Sequence, residues 1–176
     1  DKEAFNACLH PFIRNTVGSM EFGGCFLNKR LNRNNDGGTT RRTTDIFQLA
    51  TTVLFQNPVQ NFALAPNNLK DVSPVCMDYM KTVPTTWDET CFIDGYPGKY
   101  VVLARRHGGT WYVAAINAGK ETLKLKLDLE MFAGKTVSLY KDDKKGAPQL
   151  VPLKVKENGK VQLEILPQGG AVLVNK

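Results

Sequence analysis

The stretch Pro84-Thr-Thr-Trp-Asp-Glu-Thr-Cys-Phe-Ile-Asp-Gly-Tyr-Pro-Gly-Lys-Tyr-Val-Val-Leu-Ala104 decides how this chain is read. Before it, helical patterns alternate with short apolar runs. After it, short strands follow one another almost to the end. The second part has seven strand candidates, at residues 99–106, 110–117, 122–129, 135–141, 149–156, 160–166 and 170–175. Side chains alternate in Lys160-Val-Gln-Leu-Glu-Ile165 and in Leu123-Lys-Leu-Lys-Leu127, the pattern of a strand with one wet face. Gly108-Gly109 and Asn158-Gly159 predict hairpin turns, and Asp94-Gly-Tyr-Pro-Gly98 predicts another turn. Seven short antiparallel strands over about 90 residues predict a β-sandwich.

Working back from the joint, residues 43–56 predict a helix. Ile46, Leu49, Ala50, Val53 and Leu54 form one apolar stripe. Thr44 or Asp45 can cap it, Asp45 and Gln48 have capping-box spacing, and Asn57-Pro58 ends it. Ser73-Pro74 opens a second helix as N-cap and first-turn proline; Val72, Val75, Cys76, Tyr79, Met80 and Val83 mark its buried side. Residues 17–22 and 59–65 predict short strands. Residues 1–9 predict the end of a helix, stopped at His10-Pro11. Residues 25–42 form a long loop. The order strand, helix, strand, helix belongs to a parallel sheet with crossover helices. Two such strands cannot shelter both faces and both edges, so residues 1–84 are expected to be the tail of a larger α/β body. The chain also opens on Asp1-Lys2-Glu3 without Met, which reads as a piece of a longer protein.

Composition narrows the function. The chain has 176 residues, 42% of them hydrophobic and 23% charged, enough for one ordinary domain or two small ones. The net charge of +6 invites nucleic acid as a partner. Yet residues 1–84 hold nine Lys/Arg against seven Asp/Glu, and residues 85–176 hold fourteen against ten. The basic run 29–42 has no interleaved aromatics and reads as a solvated loop, so no nucleic-acid partner is expected. No apolar run approaches the roughly 20 residues of a membrane span. Cys8, Cys25, Cys76 and Cys91 form no C-x-x-C pair and there are only two His, which argues against zinc; one disulfide remains open.

Few residues carry visible chemistry. Asp88-Glu89 is an adjacent carboxylate pair, but neighbours on a strand point to opposite faces, and Trp87 suggests a packed turn. Glu21, at the C-terminal end of a possible barrel strand, is the better-placed carboxylate. Arg14, ahead of it, could bind a carboxylate or a sugar hydroxyl. Both are candidate substrate-binding residues. His10 and His107 lack partners at nucleophile–base spacing. Trp111, Tyr112, Tyr100 and Tyr140 could be a sugar-stacking platform, or core. No catalytic or metal-ligating set emerges.

At these residues a family resemblance enters. His10-Pro-Phe-Ile-Arg-Asn-Thr-Val-Gly-Ser-Met-Glu-Phe22 resembles the Pro-Phe-x-Arg and Gly-Pro-Met-Asp-Tyr segment of family 97 glycoside hydrolases. The helix at 43–56 with Pro58-Val-Gln-Asn-Phe62 is similar to the family's penultimate barrel helix and last strand. The joint, running on to Trp111-Tyr-Val-Ala-Ala-Ile-Asn117, resembles the entry into its C-terminal sandwich. The resemblance implies an enzyme cleaving α-glucosidic or α-galactosidic bonds in oligosaccharides, of which this chain would be the end of a (β/α)8 barrel (1–84), a joint (85–98) and the C-terminal sandwich (99–176). Its partners would be the upstream barrel and an N-terminal domain. It further implies a calcium ion held by residues outside this chain, catalytic carboxylates upstream, and a periplasmic or secreted setting in Bacteroidetes-type bacteria. The bland alternative is a carbohydrate-binding or structural β-sandwich. The chain departs from the family at Glu21, where Asp is usual, at Phe47 for His, at Ala63-Leu-Ala-Pro66 for Ala-Asp-x-Pro, and at Cys91 for Arg. These departures bear on the substrate.

Overall fold

A computed structural model of the chain describes residues 2–30, 36–64 and 66–175. The chain is mostly antiparallel β-sheet with few helices. Eight strands, β1 (Glu89–Tyr96), β2 (Tyr100–His107), β3 (Thr110–Asn117), β4 (Leu123–Asp128), β5 (Thr136–Asp142), β6 (Pro148–Lys154), β7 (Lys160–Ile165) and β8 (Gly170–Val174), form two sheets. One has six strands in the order β1-β2-β3-β8-β5-β6; the other is the pair β4-β7. Seven of the strands coincide closely with the expected ones. β1 lies in the stretch read as a joint, with a turn at 94–98, but Asp94, Gly95 and Tyr96 are its last residues; the tight turn is confined to Pro97–Lys99, where the Lys99 N–H donates to Tyr96 O. Asn158-Gly159 is also not a hairpin turn. It carries the chain from β6 in one sheet to β7 in the other, with the Asn158 carboxamide accepting from Lys160 N–H and Gly159 at φ 69°, a conformation glycine adopts without steric cost.

The alternation of side chains sorts the core into two layers. Val102, Ala104, Val113, Ala115, Leu139 and Leu173 face the β4-β7 pair. Val101, Leu103, Ala114, Ile116, Val172 and Val174, their neighbours in sequence, face the opposite way, as successive residues of a strand must. That second face is covered by helices of the first half: α1 (Lys2–Ala7), α2 (His10–Ile13), α3 (Asp45–Leu54) and α4 (Pro74–Met80). The six-stranded sheet is therefore the middle of three layers, and β8 is buried along its full length. The central helix α3 is so encased that all of residues 46–54 are buried. Phe47 is wholly inside, where an apolar ring suits the packed core.

Thr44 caps α3, its hydroxyl accepting from Phe47 N–H at 3.1 Å. The expected Asp45–Gln48 capping box is not formed. Gln48 turns inward instead, accepting from Phe26 N–H and donating to Thr43 and Glu3, because a buried carboxamide must find partners. Ser73 caps α4 as expected. His10-Pro11 opens a short second helix rather than stopping the first, proline being well suited to a first turn.

The strand expected at 17–22 is not formed, nor is the one expected at 59–65 over residues 59–64; residue 65 lies outside the described residues. Residues 18–24 run extended beside 56–61, but the pairing is thin: Met20 N–H to Gln56 O, Cys25 N–H to Asn61 O, and one isolated parallel bridge between Cys25 and Phe62. Asn15 spends its side chain on Gly18 O and Gln56 N–H, and Thr16 spends its hydroxyl on Ile13 O. Within the loop 25–42, residues 31–35 lie outside the described residues. In the remainder, Arg30 donates to Gly37 and Gly38 carbonyls, and Arg41 donates to those of Asn28 and Thr43 and pairs with Asp45. These arginines tie their own loop together. All four cysteines are free thiols. Among the described residues no helix is long and apolar enough to cross a membrane.

Candidate functional site

The segment ahead of the Cys25–Phe62 bridge and the one after α3 enclose an open cleft of about 720 Å³. Its walls include Ser19, Glu21, Gly23, Asn57, Val59 and Asn61. The backbones come together because Gly24, at φ 132°, has no side chain: a Cβ there would lie 2.9 Å from Asn61 O. Asn61 donates across the gap to Gly23 O at 3.3 Å. Behind this wall Phe22 packs edge-on against Phe55, with centroids 4.7 Å apart, and His10 meets the same ring at 5.5 Å. Burial, aided by the charge of Arg14, lowers the pKa of His10.

Glu21 is exposed and lines the cleft; Arg14 is exposed at the C-terminus of α2 and is not among the cleft's lining residues. The parallel bridge lies at Cys25, four residues beyond Glu21. Asn57, singled out by no pattern in the sequence, is buried in the cleft wall, and its Nδ2 has no hydrogen-bond partner among the described residues. Its only sequence signal was a helix-stopping position before Pro58.

The other candidates dissolve into structure. Asp88 and Glu89 both face Arg106, at 3.7 and 3.1 Å, and Asp88 also accepts from Gly108 N–H; they brace the β2–β3 hairpin. His107 contacts Thr86 O through Nδ1 at 2.9 Å. The four aromatics make no platform. Tyr112 and Tyr140 are buried on the helix-covered face of the six-stranded sheet. Trp111 and Tyr100 pack on the other, as residues 111 and 112 must on one strand.

Chemically, the cleft offers one carboxylate, carboxamides and a hydroxyl. Such groups can hold a polyol, but glycoside hydrolysis needs two carboxyl groups flanking the bond, separated by roughly 5–9.5 Å. Among the described residues no three His, Cys, Asp or Glu converge where a metal ion could sit; the side chains present do not fit calcium, which takes six to eight oxygens.

The family model described as "Glycosyl-hydrolase 97 C-terminal, oligomerisation" matches residues 86–175. A retaining alpha-galactosidase of Bacteroides thetaiotaomicron is 28% identical over 178 residues, covering 93% of this chain and 26% of that protein. A probable retaining alpha-galactosidase of Streptomyces bingchenggensis is 34% identical over 111 residues, 62% of this chain and 16% of that one. A crystal structure of a beta-arabinopyranosidase superposes with a TM-score of 0.96 at 85% identity, over 98% of this chain and 28% of that one. The chain thus spans well under a third of the length of each.

Proposed function

Because the chain belongs to glycoside hydrolase family 97, whose C-terminal domain it carries, we propose that it is the closing part of a glycosidase and does no bond cleavage itself. The observation that carries this is the 85% identity, over nearly the whole chain, to part of a beta-arabinopyranosidase. Residues 1–84 are then the end of a (β/α)8 barrel: the paired extended segments at Cys25 and Phe62 are the edges of its last strands, and α3 and α4 its last helices. The rest of the barrel supplies both reacting carboxylates and any calcium ligands. The cleft at Glu21 becomes part of the pocket wall, and the three-layer β-rich domain buttresses the closure.

The substrate class follows from stereochemistry. A β-L-arabinopyranoside has the ring configuration of an α-D-galactoside and lacks only the exocyclic hydroxymethyl group. The whole enzyme is read as acting on this class, with β-arabinopyranosides and α-galactosides ahead of α-glucosides. A periplasmic or secreted setting suits such a glycan-degrading enzyme. A second copy is the partner that the family's oligomerisation description suggests. The free edge of β1 supports this reading, with Phe92 and Tyr96 exposed, whereas the opposite edge strand β6 is blunted by Pro148 and Pro152.

The test is turnover of nitrophenyl β-L-arabinopyranoside, α-galactoside and α-glucoside by the full-length enzyme and by this polypeptide alone. Hydrolysis is expected only from the former, fastest on the first two. Turnover by the polypeptide alone, or a full-length enzyme inert on all three, overturns the proposal.

A further inference from the structure

A cleft of about 570 Å³ opens on the side of the six-stranded sheet away from the helices, where the β4-β7 pair meets the end of β6. That volume lies within the range of small-ligand sites, roughly 300–1,000 Å³. Three strands and a connection each bring a lysine to its wall: Lys126 of β4, Lys154 of β6, Lys156 on the crossing from β6 to β7, and Lys160 of β7. All four are exposed, and none forms an ion pair among the described residues. Asp128 is the one carboxylate among the lining residues. Glu157, on the same crossing, is turned toward Gly134, where a Cβ would lie 2.7 Å from its Oε2. Lys124 and Glu164, further along the pair, answer each other at 3.5 Å. The cleft therefore holds an excess of positive charge that the fold does not balance, and a cleft lined by one sign of charge concentrates ligands of the other.

The remaining lining residues say which anion fits. There is no aromatic ring and no arginine among them. Single-stranded nucleic acid is held by stacked aromatics, and arginine forks are the usual partners of phosphate. Two carboxamides stand among the lysines instead, Asn158 and Gln162, both exposed. Asn158 spends its oxygen on Lys160 N–H at 3.1 Å, which turns its amide hydrogens to other acceptors. Leu127, Leu153 and Val161 form an apolar floor. A chain that carries carboxylates at intervals, hydroxyls between them and C–H faces beneath matches all three kinds of lining group.

We infer that this cleft binds an acidic polysaccharide of the uronate type. Lys126, Lys154, Lys156 and Lys160 pair with its carboxylates, and Asn158 and Gln162 bond its hydroxyls. The site is separate from the cleft at Glu21 and does not rest on the glycosidase reading.

The test measures binding of the intact protein to polygalacturonate, to neutral galactan and to single-stranded DNA by calorimetry at low ionic strength. Polygalacturonate is expected to bind and galactan not, with affinity falling as salt is added. Lys154→Gln/Lys156→Gln should weaken that binding about tenfold. Lys126→Gln/Lys160→Gln, on the other two strands, should do the same and serves if the first pair disturbs the fold. Lys144→Gln/Lys145→Gln removes as much charge from the β5–β6 turn, away from the cleft, and should leave affinity within about twofold. Four results would each overturn the inference: no binding of polygalacturonate, galactan bound as tightly, DNA bound as tightly, or an equal loss in the turn variant.

Discussion

The Thr44 hydroxyl donates to Oδ2 of Asp142 at 2.9 Å, joining residues 98 positions apart. Thr44 is the N-cap of α3 and Asp142 the last residue of β5. The same carboxylate oxygen accepts from Gly170 N–H at 3.1 Å, and Thr44 N–H donates to Gln168 O. One polar knot thus fixes the start of the central helix against the end of the sheet it covers.

Replacing Thr44 by Ala removes the cap and one of the two donors to Asp142. We expect a loss of about 2 kcal/mol, read from the denaturant midpoint, with Thr44→Ser close to wild type. An alanine variant as stable as the parent would mean that the knot contributes nothing.

Asp142 gives the knot a pH dependence. Burial raises its pKa from 3.8 to about 6, against the opposing bonds from Gly170 and Thr44, with Asp45 and Asp143 adding repulsion. The folded state therefore binds the proton more tightly than the unfolded state, and stability falls as pH rises from about 4 to about 6. The full effect is on the order of 3 kcal/mol. Asp142→Asn should be flatter over that window than wild type in thermal melts at successive pH values. Parallel curves would refute the assignment.

Gly170 sits where α3 touches the sheet. A Cβ there would lie 2.8 Å from Ile46 O and from Phe47 N and Cα, all backbone atoms that cannot swing away. Gly170→Ala should cost about 3 kcal/mol or more. Gly109→Ala, with nothing within 4 Å of its Cβ, should stay within about 0.5 kcal/mol. Urea midpoints of the two variants give the comparison.

The thiols should separate by burial. Cys8, Cys25 and Cys76 are buried, and burial pushes Cys8 and Cys76 to about 12. Cys91, half-buried beside Glu89, is the accessible one. An aromatic disulfide reagent should titrate one of these four thiols quickly in the native protein, none in Cys91→Ser, and all four of the parent after denaturation. Rapid reaction of a second thiol would show that the core opens.

Much of this architecture was legible in the chain. The 3.6-residue stripe of Ile46, Leu49, Ala50 and Val53 marked α3, Ser73-Pro74 marked the start of α4, two-residue alternation marked β4 and β7, and short apolar runs between turn signals marked five more strands. β1 escaped because Asp94-Gly95 reads as turn chemistry; the strand survives there through a register shift between Phe92 and Asp94. The candidate site was less legible. Glu21 could be picked out as a carboxylate near a possible strand end, but Asn57 could not, since nothing about an asparagine before a proline says that its side chain will be buried.

By itself the sequence determined which residues share a face of α3 and of the alternating strands, and where most of the strands lie. Those are local matters, set by backbone periodicity and by the steric limits of glycine and proline. Only the tertiary structure decided what lies against each face. The central strands of the large sheet are apolar on both sides, and that pattern fits a helix layer, a second sheet or another chain equally well. The packing of α3 onto β3 and β8, with Gly170 admitting the helix backbone and Asp142 holding its cap, selects among them, because close packing depends on contacts between residues a hundred positions apart that no local pattern encodes.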